Sequence, residues 1–525
     1  MSTLSPVNTL PLITIKPVPT VLPGTGNSGT TATTAAPTSI VTLGKNAALT
    51  SAQTYSSRGL VDEPATRPVL ENERQDKVTL TMEGNFAAQP PGGVFHGLGA
   101  ALLTQLSEGV NNYSQSLLKS STGQALDPTE QLVDQTQLHT AADNSITLTV
   151  KTASGSTVLI NLASQANGLA VQVQVKGGTL SDAERSAVGN LADAFQSAID
   201  GFTETPPRLD LSKLTQFDPS LLSSVDLNAQ LKLGESKYQT LGFHADGQNK
   251  TVNMSGPIGS LQLAVNTKNS QIMGNAQQQS QALNSYLSQF DAARRRGDGN
   301  QDLMTLFKDA FSAMNSVNSK DLKQVNLKTP SSISLNDVDH GMLTGLADFT
   351  ASITQVPQSI NPMRVNETDN FSYQVLQTTS INGENQLNHS IKQDQQSHLT
   401  ASYHQGLYPG ALAALDHTKQ SQNYKYLQIN DDASSSTSVA YKAGLLTAVS
   451  LVQAATQTTH SLKYEMGDLK EDTTTPVEAT KTQDLLGILQ TALRKDKQET
   501  KDSGSPTSEN TLAIHSQVIL QADPW

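Results

Sequence analysis

The chain has 525 residues, of which 36% are hydrophobic, 4% aromatic and 16% charged, with a formal net charge of −12 at pH 7. That acidic balance leaves no general basic surface for nucleic acid or anionic lipid, the one dense basic run being Arg294-Arg295-Arg296. The absence of cysteine excludes disulfides, thiolate metal sites, iron–sulfur clusters and a cysteine nucleophile. Ser, Thr, Asn and Gln supply about 36% of the residues, well above an ordinary globular chain.

Residues 1–75 open the chain as a Thr/Pro/Ser-rich arm, with TGNSGTTATTAAPTS at 25–39. Such a stretch buries too little apolar surface to offset the entropy of ordering, so a disordered arm is expected. Its first twenty residues lack a basic start, and Pro11, Pro17 and Pro19 break the apolar stretch; this is not a standard secretory signal. Leu10, Ile13 and Ile15 have the character of a docking or targeting peptide, but a frayed terminus is favoured. No apolar run in the chain approaches the roughly 20 residues that span a bilayer.

An α+β domain is expected over 76–265. Residues 77–82 (KVTLTM) alternate as a strand. Leu98, Leu102, Leu106, Val110, Tyr113 and Leu117 fall at helical spacing and predict one helix over 97–119. Asp127-Pro128 opens a second helix with Leu132, Val133 and Leu138 on its apolar face. Strands follow at 145–151, 157–162 and 169–176, then a helix over 181–201. Ser181 and Glu184 have capping-box spacing, and Val188, Leu191, Phe195 and Ile199 line one face. A second β block, 225–265, alternates at 225–233, 238–245 and 261–265, with Asp246-Gly247 as a turn signal.

A helical region, 266–352, follows. Helices are expected over 271–295 (Leu283, Tyr286, Leu287, Phe290), over 302–317 (Leu303, Leu306, Phe307, Ala310, Phe311, Met314) and near 337–350 (Met342, Leu346, Phe349). From 366 to 467 the segments 371–381, 389–404, 423–430, 436–444 and 445–467 read as long polar strands of an antiparallel β domain, a meander in the C-terminal third. So polar a sheet needs a helix on its inner face, partner strands or another molecule. The tail, 482–525, reads as a helix over 482–495, a charged mobile linker over 496–510, and an apolar segment at 512–520 before Trp525.

Candidate sites are few. The glycines around Pro91–Ala100 precede a helix, but Gly97-x-Gly99 is followed by Leu102 where a dinucleotide fingerprint requires glycine, so a plain helix lead-in is favoured. Asp298, Asn300 and Asp302 do not keep calcium-loop order, Leu303 standing at position six and Asp309 at position twelve. Arg296-Gly297-Asp298 spells an adhesion tripeptide of low specificity. Of His389, His398, His404 and His417, His398 and His404 share parity but lie about 20 Å apart along one strand, too far to share an ion unless the strands fold back, so surface histidines on a polar sheet are expected. Asp337-Val338-Asp339-His340 reads as the acidic first turn of a helix. The residues thus nominate no catalytic, cofactor-binding or metal-ligating set, and no cofactor is expected.

The run ITLTVKTASGSTVLINL…LAVQVQVKGGTLSDAERSAVGNLADAFQSAIDGF…LDLSKLTQFDPSLLSSVDLNAQLKL, over 146–233, resembles a domain of unknown function in Gram-negative bacterial proteins. The whole chain, with its MSTLSPVNTLPLITIKP start, is similar to a family of cysteine-free pseudomonad proteins of like length. Some of these carry the label lactate dehydrogenase, which would imply a cytoplasmic oxidoreductase with a dinucleotide fold and an arginine–histidine pair. The alternating strand blocks instead favour antiparallel pairs. The expectation is a non-enzymatic, exported or envelope-associated interaction protein with a protein partner. Its export route would be independent of a standard signal.

Overall fold

Fifteen strands form one sheet in the order β1-β2-β5-β4-β3-β6-β7-β8-β9-β10-β11-β12-β13-β14-β15, every neighbouring pair antiparallel. The structure is a computed structural model and describes residues 68–524, except 87, 89–91, 120–126, 317–332, 409, 411–412 and 506–507. Most of the expected arm, its apolar start and Trp525 therefore lie outside the described residues. The α+β class and the C-terminal antiparallel meander are those expected from the sequence.

The first strand, β1 (Pro68–Leu70), pairs with β2 (Asn112–Lys119), so the arm read as 1–75 overlaps the sheet at its end. Residues 77–82 are helical, not extended: α1 spans Lys77–Asn85, and the Asp76 side chain caps it by accepting from Thr79 N. Val78 and Met82 are buried four residues apart while Leu80 is exposed, a spacing that alternation could not distinguish from a strand. The single helix expected over 97–119 is two elements. The helix α2 (Leu98–Ser107) buries Leu98, Leu102 and Leu106, Gly109 takes φ +111°, and the chain then extends as β2. Tyr113 and Leu117 are four apart, which suits one strand face as well as a helix stripe.

Asp127 caps α3 (Pro128–Thr140) as expected, but its apolar face is misassigned: Leu132 and Val133 are exposed, and Leu138 is buried. The strands β3 (Asn144–Thr152), β4 (Thr157–Gln165) and β5 (Gly168–Lys176) match the sequence reading. The next helix breaks at Asn190 into α4 (Asp182–Gly189) and α5 (Ala192–Thr203), with the Ser181/Glu184 capping box formed and Val188, Leu191, Phe195 and Ile199 buried. The second β block holds β6 (Leu222–Gly234), β7 (Lys237–Asp246), β8 (Asn249–Gly256) and β9 (Gly259–Asn266).

Two helices then cross the sheet, α6 (Ala276–Arg296) and α7 (Gln301–Asn315). The helix expected near 337–350 shrinks to α8 (Asp337–Gly341); Gly345 at φ +77° turns the chain into β10 (Asp348–Gln355), which buries Phe349, Ala351 and Ile353. The meander contains β11 (Asn370–Asn385), β12 (Asn388–Gly406), β13 (Tyr424–Lys442), β14 (Leu445–Glu465) and β15 (Asp468–Asp484). The two strands expected at 423–430 and 436–444 are one, because Asp431–Ser435 is paired on both sides. The tail holds α9 (Leu486–Ser503), which occupies part of the stretch expected to be mobile, and α10 (Glu509–Val518).

Helices cover one face, called inner below. Phe195, Ile199 and Phe202 of α5 lie in one core with Leu148, Ile160 and Val225 of the sheet. Farther along, Tyr286 and Phe290 of α6 meet Phe307 and Phe311 of α7 and Phe349 and Tyr373 of the sheet, with ring centroids 4.9–6.3 Å apart. Leu489 of α9 and Val518 of α10 cover Val439, Val449 and Leu451. Among the described residues, α3 alone packs on the opposite, outer face, where Leu138 meets Leu118, Ala163 and Ala170 at the β1 end. Residues Pro64–Trp525 form one compact unit. The ladder passes from β9 to β10 and from β10 to β11, across positions 266 and 366 where the sequence reading divides the chain.

Candidate functional site

The sequence motifs resolve into structural roles. Ahead of α2, Gly97 adopts φ +72°, and the Gln196 side chain accepts from Gly99 N (2.9 Å) and Ala100 N (3.3 Å), capping the helix start where a phosphate would sit. Asn300 caps α7 by accepting from Leu303 N. Gly297 and Gly299 lie against Phe371, where a Cβ would come within 2.8 and 2.9 Å of the ring. Arg296 makes a two-pronged bond to Asp431 (3.0 and 3.2 Å) and donates to Thr459, so it is tied into the fold. Asp339 closes the capping box of α8 and accepts from Tyr441, on whose ring His389 stacks at 4.4 Å. His398 bonds Asp432, and His417 is exposed. His389, His398, His404 and His417 are not brought together, and no group of His, Asp and Glu among the described residues could hold a metal ion.

Past α3, the outer face of the sheet carries no helix among the described residues. A row of cross-strand neighbours runs Thr149, Asp226, His244, Thr251, Ala264, Thr350, Leu376, Gln396, Ser434, Ala454, Thr480. None of them is buried. At strand spacing this row is roughly 50 Å long. The adjacent row, from Thr147 through Asn228, Asn253, Gln262, Ser352, Gln374, His398, Asp432 and Thr456 to Glu478, has the same character. Short uncharged polar groups dominate both.

One end of the outer face is covered by a loop. The backbones of Gln358 and Asp369 pair across its base, with N–O distances of 2.9 and 2.7 Å, and close residues 359–368 into a compact surface loop. Beneath it lies His404, whose side chain is fully buried between Asp369 at Nδ1 and Glu367 at Nε2 (3.2 Å). Tyr424 donates to Glu367 at 2.6 Å, Asn361 donates to Tyr424 and Gln422 at 2.9 Å, and Tyr426 donates to Thr368 O at 2.9 Å. Arg364 lies 4.2 Å over the Tyr464 ring and donates to Gly467 O. Burial opposes charge on His404, but its bonds to Asp369 and Glu367 outweigh burial and hold the imidazole above its ordinary value. Burial likewise pushes the Glu367 carboxyl up, and bonds from His404 and Tyr424 with the nearby Arg364 bring it below its ordinary value. Burial, then Glu367, keeps the Tyr424 phenol well above the ordinary range.

Among these groups only His404 stood out in the sequence. Asp369, Glu367 and Asn361 sit in a loop without periodicity, and Tyr424 reads as one more strand residue. The parity switch on β12, where Ala401 and Ser402 are both buried, is visible only once the loop's position is known.

A separate cleft of about 450 Å³ lies where α6, α8, α9 and α10 meet, lined by Gln278, Asp337, His340, Asp496 and Lys497 among others. Gln278 and Asp496 are already engaged as helix caps there: Gln278 bonds Asn275 N, and Asp496 accepts from Asn510 N and Thr511 N. No family model, curated protein or solved structure matches this chain.

Proposed function

We propose that this protein is a non-enzymatic interaction protein, exported or associated with the cell envelope, that binds a protein partner through the outer face of its sheet. The observation that carries the reading is the wide polar surface itself. Rows of Thr, Ser, Asn and Gln run from β3 to β15 with their backbone groups already paired, so the side chains alone are offered for contact. A surface of this kind supports an adaptable, wet interface with many weak hydrogen bonds. Lack of cysteine is compatible with export by a route that avoids oxidative folding, as it is with a stable cytosolic protein, and the Thr/Pro/Ser-rich start agrees with the pseudomonad family that the chain resembles. The dehydrogenase reading finds less support, because no strand pair among the described residues is parallel and a dinucleotide crevice is built at the carboxyl ends of parallel strands.

The test follows the native protein by antibody in medium, envelope and cytosol, with partners captured by crosslinking from the same fractions. Wild-type protein is expected outside the cytosol with a discrete crosslinked partner. A Thr350→Arg, Thr456→Arg variant with an unchanged melting curve is expected to lose that partner. Protein confined to the cytosol, or a crosslink indifferent to both substitutions, overturns the proposal.

A further inference from the structure

The loop over His404 differs from the other polar features of this surface. The remaining histidine–carboxylate pairs of the outer sheet face, at His244, His398 and His460, keep 33–44% of the histidine side chain exposed, and His404 keeps none. Water screens the first three, whereas the His404 ring is shielded and its carboxylates Glu367 and Asp369 are only 12% and 21% exposed. The loop's grip on the sheet is mainly polar. Apart from the base pairing, it rests on Asn361, Arg364, Glu367, Thr368 and Asp369. Its larger apolar residues, Ile360, Met363 and Val365, point outward at 37–64% exposure and do not anchor it. Under the loop lie Tyr424, Tyr426 and Tyr464, at most 5% exposed, a buried aromatic cluster against which Ala413 and Leu415 also pack.

We infer that residues 359–368 form a lid closed by the His404 imidazolium between Asp369 and Glu367, and that loss of the imidazolium proton loosens the lid and uncovers Tyr424, Tyr426 and Tyr464. The charges facing the site are few. The loop brings Arg364, Glu367 and Asp369, β13 brings Tyr424 and Tyr426, β14 brings Tyr464, and Asp298 between α6 and α7 acts on Asp369 from a distance. With His404 charged, its positive charge and that of Arg364 balance the two loop carboxylates. With His404 neutral, Glu367 and Asp369 are left on either side of a neutral ring with one cation near the rim.

The direction follows from linkage. His404 is raised in the fold, so its contribution is complete below the free value of 6.5 and disappears as pH climbs through the folded value above it. Glu367 is lowered, so its contribution is complete above 4.5 and disappears as pH falls through the folded value below it. The lid is tightest between those two reference values and opens toward alkali. It is a property of this chain alone and goes beyond the partner reading, although tyrosine is among the side chains enriched at the energetic centres of protein interfaces.

Amide exchange of the full chain, corrected for intrinsic rates, tests the lid directly. Protection of peptides covering 356–369 is expected to fall about tenfold between pH 6 and pH 9, while peptides from β6 to β9 hold theirs. His404→Gln is expected to give low, pH-independent protection of the lid. Glu367→Gln, which keeps size and hydrogen bonding, is expected to flatten the profile in the same way. Flat lid protection in the wild type overturns the inference without reference to any variant. A His404→Gln protein with wild-type protection and slope overturns it as well.

Discussion

Asp431 shows how a charge is kept inside a sheet this polar. Its side chain is 9% exposed, and Arg296 reaches it from the end of α6 with two hydrogen bonds. Burial is the larger influence and outweighs the arginine, so the carboxyl sits above its ordinary value. A carboxyl raised in the fold favours the folded state as pH falls, since the folded chain then binds the proton more tightly. Taking away the arginine makes that preference stronger. Arg296→Met is expected to cost roughly 3 kcal/mol at pH 7, the scale of stranding a buried charge. The loss should shrink as pH approaches 4 and Asp431 protonates. Urea melts of both proteins at the two pH values check this; an equal loss at both would show that packing, not charge, is what Arg296 contributes. Phe311 is a simpler case. It is fully buried against Tyr286, Phe290 and Phe349, and Phe311→Ala is expected to cost roughly 3–5 kcal/mol in the same melts.

At the scale of elements, the free edge at β15 bears on how the sheet avoids pairing with a second copy. Seven of its side chains are charged: Asp468, Lys470, Glu471, Asp472, Glu478, Lys481 and Asp484. Pro476 stands near its middle, opposite Thr458. Thr458 turns its N–H toward Asp431 on β13, so the nitrogen of Pro476 faces the open edge, where an added strand would need a donor. Pro476→Thr combined with Glu478→Thr is expected to give concentration-dependent association by sedimentation velocity, with wild type unchanged. A double variant that sediments as wild type would locate the protection elsewhere. The same strand shows where sequence reading stops. It has almost no buried residues, so no alternation betrays it, and only the ladder to β14 makes it a strand. By contrast β3 to β5 were legible because Ile146, Leu148, Val150, Val158, Ile160 and Leu162 alternate against a helix. Residues 77–82 and 110–117 misled because a spacing of four, Val78 to Met82 and Tyr113 to Leu117, satisfies both periods. The lid was illegible for another reason: its residues act through partners 35–57 positions away, from Asp369 to His404 and from Glu367 to Tyr424.

Across the whole molecule, one ladder carries the fold from Pro68 to Asp484, and the inner core is built by helices that straddle neighbouring parts of it. The aromatic cluster shows the dependence. Tyr286, Phe290, Phe307 and Phe311 come from α6 and α7, before β10, and they close over Tyr373 of β11 and Phe349 of β10. A fragment of residues 366–525 would keep the long meander and lose this cover. It would expose Phe371, Tyr373 and Val375, and also the β11 edge that β10 occupies. That fragment is expected to bind a hydrophobic dye and to aggregate. A chain beginning at Pro64 is expected to unfold with the cooperativity of the full protein, because Pro64–Trp525 is one unit. Starting at Lys77 is different. It removes β1, the Asp76 cap of α1, and the Glu71–His139 contact that ties β1 to α3. A broadened or lower-temperature melt is expected for that shorter chain, by circular dichroism and calorimetry together. Equal melts for the chains starting at 64 and 77 would mean that the short first strand and the α1 cap contribute nothing to the fold, and that the cooperative structure begins no earlier than α1.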